Sequence, residues 1–83
     1  MTVQRGEDNQ ILIQYSDYNA LNTYEFRLKG CSEIYPLTIV EVECFGYILF
    51  SINVPCTVLT GSYTFELLED DVPVHEEIIQ IND

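Results

Sequence analysis

The sequence predicts an all-β chain, a small sandwich of six to seven antiparallel strands. Two observations predict it. Hydrophobic residues recur at every second position along most of the chain, the period at which a strand turns one face to a core and the other to water. No stretch of ten or more residues keeps the 3.6-residue period of a helix, so at most one helical turn, near Asp17 to Leu21, is expected. The alternating segments are separated by Gly, Pro, Asn and Asp, which favour turns. No repeat, linker or low-complexity stretch divides the 83 residues. One domain is expected over residues 11–83, preceded by a polar arm over residues 1–10.

Strands are expected at about Gln10 to Tyr15, Thr23 to Lys29, Leu37 to Cys44, Ile48 to Val54, Ser62 to Leu68 and Val74 to Ile81, with a short one possible at Thr57 to Thr60. Thr23 to Lys29 alternates most clearly: Tyr24, Phe26 and Leu28 share one face and Glu25, Arg27 and Lys29 the other. Leu37 to Cys44 repeats this with Val40, Val42 and Cys44 inward and Glu41 and Glu43 outward. Ile48, Phe50, Ile52 and Val54 form the apolar face of the next strand. A two-residue loop between these strands would set glutamates against Ile48 and Phe50 and fails on register. A three-residue loop, Phe45-Gly46-Tyr47, pairs Val42 with Phe50 and Val40 with Ile52, leaving Phe45 and Tyr47 at the tip. Gly46 then sits in the middle of the loop instead of last, so a bulged continuous strand is the alternative. Pro55 ends its strand or lies on an edge because it cannot donate to a ladder. Asp70-Asp71-Val72-Pro73 reads as the last hairpin loop. Glu76 and Glu77 break the final alternation, which requires a bulge there, a device that protects an edge strand. Phe26, Val42, Phe50 and Phe65 are the predicted core.

Fourteen acidic residues against Arg5, Arg27 and Lys29 give a net charge of −11. Such a surface repels nucleic-acid phosphates, whose binding depends on Lys and Arg displacing counterions. No direct nucleic-acid contact is expected; partners are basic or apolar protein surfaces, cations, or further copies of the chain. Hydrophobic residues make up 47%, too many for a disordered chain. No segment approaches the roughly 18 to 20 apolar residues of a membrane span. Met1 to Glu7 has neither an apolar run nor a cleavage site, so synthesis and folding in a cytoplasm are expected. Cys31, Cys44 and Cys56 are odd in number and lack a C-x-x-C spacing, which predicts three reduced thiols and no zinc cage; Cys44 reads as a small core residue.

Catalytic chemistry has little to stand on. His75 is the only histidine, no Gly-x-Ser-x-Gly elbow is present and no cysteine pairs with His75 by spacing, so the chain reads as non-enzymatic, without cofactor or metal. Glu69-Asp70-Asp71 has the oxygen ligands of a calcium loop but not the spacing of an EF-hand, and acidic turn residues have a purely conformational use. Glu41 and Glu43 are most simply a solvated strand face. Six tyrosines without a tryptophan suit contact surfaces, since tyrosine joins apolar area to a hydroxyl that tolerates water. Tyr24 and Tyr63 read as core rim. Tyr18, Tyr35 and Tyr47, with Phe45, are the expected partner-binding residues.

The stretch Leu59-Thr60-Gly61-Ser62-Tyr63-Thr64-Phe65-Glu66-Leu67 resembles the corner leading into the penultimate strand of immunoglobulin-like modules. The resemblance runs from about Val58 to Ile81 and implies that the Tyr63 hydroxyl bonds back across a turn made at Gly61. The core tryptophan and inter-sheet cysteine pair of antibody domains are missing. In style, Tyr24-Glu25-Phe26-Arg27-Leu28 followed by Gly61-Ser62-Tyr63-Thr64-Phe65 is similar to small tailed-phage virion proteins of heads and fibres. That similarity implies a capsid decoration or head/tail accessory protein, made in a bacterial cytoplasm and displayed on a virion. It would bind a major capsid or fibre protein, with homo-oligomers possible within a particle. The alternative from another class is an acidic mimic of nucleic acid that inhibits a host defence enzyme, with Glu25, Glu41, Glu43 and Glu66 as a phosphate-like stripe interrupted by Arg27 and Lys29.

Overall fold

The computed structural model describes all residues, 1–83. Eight strands form two sheets. They are β1 (Thr2–Gln4), β2 (Asp8–Gln14), β3 (Tyr24–Leu28), β4 (Ile34–Pro36), β5 (Thr38–Val42), β6 (Tyr47–Asn53), β7 (Gly61–Glu69) and β8 (Val72–Asn82), with one short 3-10 turn at Cys44–Gly46. One sheet has the order β1-β8-β7-β3-β4 and the other β2-β6-β5. All pairs are antiparallel except β1 with β8, which run parallel.

The alternation in the sequence becomes the core. Phe26, Phe50, Phe65, Ile48, Leu67, Val54, Ile79 and Ile81 are wholly buried between the sheets. Phe26 stacks on Phe65 at 5.4 Å, joining neighbouring strands β3 and β7 through an aromatic pair. Glu66 lies on the outer face of β7 yet is buried, and the Arg27 guanidinium meets its carboxylate at 3.1 Å. An unpaired carboxylate at that depth would be costly, so Arg27 is its necessary companion.

Several expectations are corrected. Residues 1–10 are not an arm: Val3 enters the core from β1, and Asp8 already begins β2. The strands number eight, because β1 and β4, three residues each, are too short to show a period. Thr57 to Thr60 is a turn region, and no helical turn forms near Asp17 to Leu21. The β5–β6 register differs from the expected one by two residues next to the loop, with Val42 opposite Ile48, and by three beyond a bulge at Val40, with Ile39 opposite Phe50. The loop is therefore Cys44-Phe45-Gly46, which puts glycine last, as a three-residue hairpin prefers. Val42 leaves the predicted core, being 52% exposed, and Cys44 is exposed as well. The cause is position: β5 is an edge strand whose one partner is β6, so its inward side chains overhang the core. The bulge in β8 falls at Val74, not between Glu76 and Glu77, and β8 is an edge only beyond the reach of β1. Asp70 and Asp71 both take positive φ, 48° and 68°, forming a two-residue loop that matches the strand twist.

Candidate protein-binding surface

Three loops meet at one end of the sandwich. Tyr15 N donates to the Gly46 carbonyl at 2.7 Å, tying the β2–β3 loop to the β5–β6 turn. Thr23 N donates to Asp70 Oδ1 at 2.8 Å, tying the same loop to the β7–β8 turn. Beneath them Glu69 accepts from the Tyr24 hydroxyl at 2.5 Å and from the Tyr15 hydroxyl at 3.0 Å. The hydrogen bond from Tyr24, followed by those from Tyr15 and Asn22, holds the Glu69 carboxyl below the usual range against the opposing effect of desolvation. Desolvation, reinforced by Glu69, pushes the Tyr24 phenol up to about 12 and also raises that of Tyr15. This phenol and carboxylate cluster fixes the base on which the loops stand.

The loop tips carry what the base does not bury. Phe45 is 90% exposed and holds a left-handed backbone, φ 61° and ψ 28°. A bulky residue in that region is strained by about 1 to 2 kcal/mol. Gly46 follows at φ 76°, and a Cβ there would come within 3.0 Å of the Ser16 Cα, so the turn is pressed against the β2–β3 loop and cannot relax toward it. Leu21, in that loop, is 92% exposed. Around these side chains the loops carry Asp17, Glu43, Asp70 and Asp71 and no Lys or Arg. Beside Phe45, an open concavity of about 520 Å³ is lined by Glu41, Val42, Glu43, Cys44, Phe45 and Tyr47. From Tyr47 an apolar strip continues over the outer face of the three-stranded sheet, where Leu12 pairs with Leu49.

Of the four residues expected to bind a partner, the structure brings Phe45 and Tyr47 together on this concavity. Tyr18 and Tyr35 are half-buried and turn toward the core. The Tyr18 ring lies 5.2 Å from Tyr24, and the Tyr35 ring 5.1 Å from Phe26. Desolvation, with the hydrogen bond that its hydroxyl donates to Glu33, raises the Tyr35 phenol. Leu21 carries no signal in the sequence; an isolated leucine among Asn, Ala and Thr has no periodic neighbour to mark its direction. The four carboxylates of the suggested stripe do not share a face: Glu25 and Glu66 belong to the five-stranded sheet, whereas Glu41 belongs to β5 in the other and Glu43 directly follows it. Compared with protein-family models, curated proteins and solved structures, the chain matches none of them.

Proposed function

We propose that the chain is an immunoglobulin-like sandwich acting as a non-enzymatic accessory protein of a phage particle, a decoration or head/tail protein that clamps onto a larger shell or fibre subunit. The immunoglobulin-like reading is supported by the strand order, by the lone parallel pair between first and last strands, and by the Tyr63 hydroxyl, which donates to the Leu59 carbonyl at 2.6 Å across the corner. The single observation that carries the binding role is Phe45, a strained and almost fully exposed aromatic at the tip of a hairpin braced from behind. Backbone strain that contributes nothing to the fold is most simply retained for a contact. Binding energy concentrates in a few buried aromatic anchors, with rim charges tuning rate and register. Each copy would bury Phe45, Tyr47 and Leu21 against a neighbour, and the summed contacts would hold the shell together. The virion setting rests on the resemblance of the β3 and β7 motifs to head and fibre modules.

The test is attachment of the Phe45→Ala, Tyr47→Ala double variant to purified particles across a salt series. The variant stays folded and loses attachment, while salt weakens wild-type attachment only modestly. Tight attachment unaffected by the double change would sink this reading. Binding to a basic enzyme groove that collapses as salt rises would replace it with the nucleic-acid mimic.

A further inference from the structure

We infer that the concavity beside Phe45 is built for an extended, arginine-bearing segment of the partner protein, laid along the free edge of β5. This deepens the reading of a protein-binding module and rests on it. Three observations converge on the occupant.

The first is an unanswered charge. Arg5 pairs with Asp83, Arg27 with Glu66 and Lys29 with Glu76, which commits every Lys and Arg of the chain to ion pairs elsewhere. Glu41 and Glu43 therefore line the concavity without a cation, and the complement they call for comes from outside.

The second is the apolar part of the same lining. Val42, Cys44, Phe45 and Tyr47 complete the lining. A guanidinium is planar, stacks on aromatic faces and forks onto carboxylates, and its aliphatic stem covers apolar surface. Arginine satisfies both kinds of wall at once. A plain hydrocarbon side chain would leave the glutamates desolvated and unpaired.

The third is a backbone that is free to pair. Glu43 N donates to the Tyr47 carbonyl at 2.8 Å, so by the alternation of an antiparallel ladder the N–H and C=O of Val42 point away from β6, toward the open edge. An incoming strand finds that pair of groups directly beside the concavity. The bulge at Val40 limits such pairing to the C-terminal part of β5, which fixes where the segment lies. Strand addition supplies main-chain hydrogen bonds, and the concavity selects the side chain.

The experiment is an NMR titration of the ¹⁵N-labelled full chain with the peptide acetyl-Val-Arg-Val-Arg-Val-amide, against the same peptide with citrulline, a neutral isostere, for arginine. Saturable shifts are expected from Glu41 to Tyr47, with slowed solvent exchange of the Val42 amide. Citrulline should weaken binding about threefold to tenfold, the factor expected for one or two exposed ion pairs. In the Glu41→Gln, Glu43→Gln variant, whose changes are on exposed side chains, that difference between peptides should vanish. Absence of shifts at millimolar peptide, shifts centred on Leu59, Ile34 or Ile78, or equal affinity for both peptides would overturn the inference. Failure of the peptide together with Phe45-dependent attachment to particles would leave the binding-module reading standing. Peptide binding together with attachment indifferent to Phe45 and Tyr47 would do the reverse.

Discussion

Replacing Phe45 by Asn should make the protein more stable while removing its main contact residue. A left-handed backbone costs a bulky residue about 1 to 2 kcal/mol, and Asn accepts that conformation far more readily. Against this relief stands the burial that Phe45 provides. At 90% exposure it has about a tenth of its surface covered, so of the roughly 3 kcal/mol that full burial is worth, about 0.3 kcal/mol is lost. The net is a gain of about 0.5 to 1 kcal/mol, or roughly 2 to 8 °C in Tm for a domain of this size. Urea and thermal melts of Phe45→Asn beside wild type read it directly. Destabilisation by about 0.5 kcal/mol or more would mean that Phe45 supports the fold, and the argument that its strain serves a contact would fail.

Phe65→Ala, at a wholly buried position stacked on Phe26, should cost about 3 to 5 kcal/mol in a urea melt, enough to unfold a domain this small; a loss below about 1 kcal/mol would contradict the core. Tyr63→Phe removes the bond to the Leu59 carbonyl and should cost about 0.5 to 1.5 kcal/mol without altering the sheet, measured by melts and amide exchange near Gly61. Stability should depend on pH at both extremes through one cluster. Because the folded Glu69 carboxyl is held low by Tyr24, its contribution is present at neutral pH and disappears as pH falls through its depressed folded value. Because the folded Tyr24 phenol is raised from 10.0 to about 12, its contribution holds below its unfolded value and is lost as pH rises between those two figures. Urea midpoints across pH should show both limbs in wild type; Tyr24→Phe should lose the alkaline limb and keep a weakened acid limb, because Tyr15 and Asn22 still bond Glu69.

Much of this architecture is legible in the residues, for a physical reason. Tyr24-Glu25-Phe26-Arg27-Leu28 alternates without exception and becomes β3 with the predicted faces, because a half-buried strand fixes its side chains by period alone. The β5–β6 register is not legible in that way. Pairing Val42 with Phe50 or with Ile48 keeps the same faces, since a shift of two residues preserves them, and only the placement of Gly46 at the end of the loop distinguishes the two. Alternation misplaces Val42, because it reports a face and not whether the opposite sheet reaches over it. β1 is stabilised by pairing with β8, Thr2 lying opposite Gln80, and the Met1 ammonium donates to the Ile78 carbonyl across a sequence separation of 77. Nothing local marks such a strand. At the candidate site, the exposure of Phe45 is legible because a hairpin tip leaves it no room in the core, whereas Tyr47, expected in the loop, opens β6 on the outer face of its sheet. That of Leu21 is not legible, because it is decided by how three loops lean on one another.

The proposed role is that of a particle component held by its hairpin tip. Quantitative mass spectrometry of purified virions from cells producing either wild type or Phe45→Ala, Tyr47→Ala tests it most directly. Wild type is expected at a fixed ratio to the major shell or fibre subunit, and the variant, though folded and expressed, is expected to be lost from the particles. Absence of the wild-type chain from the particles, or retention of the variant at the wild-type ratio, would contradict it.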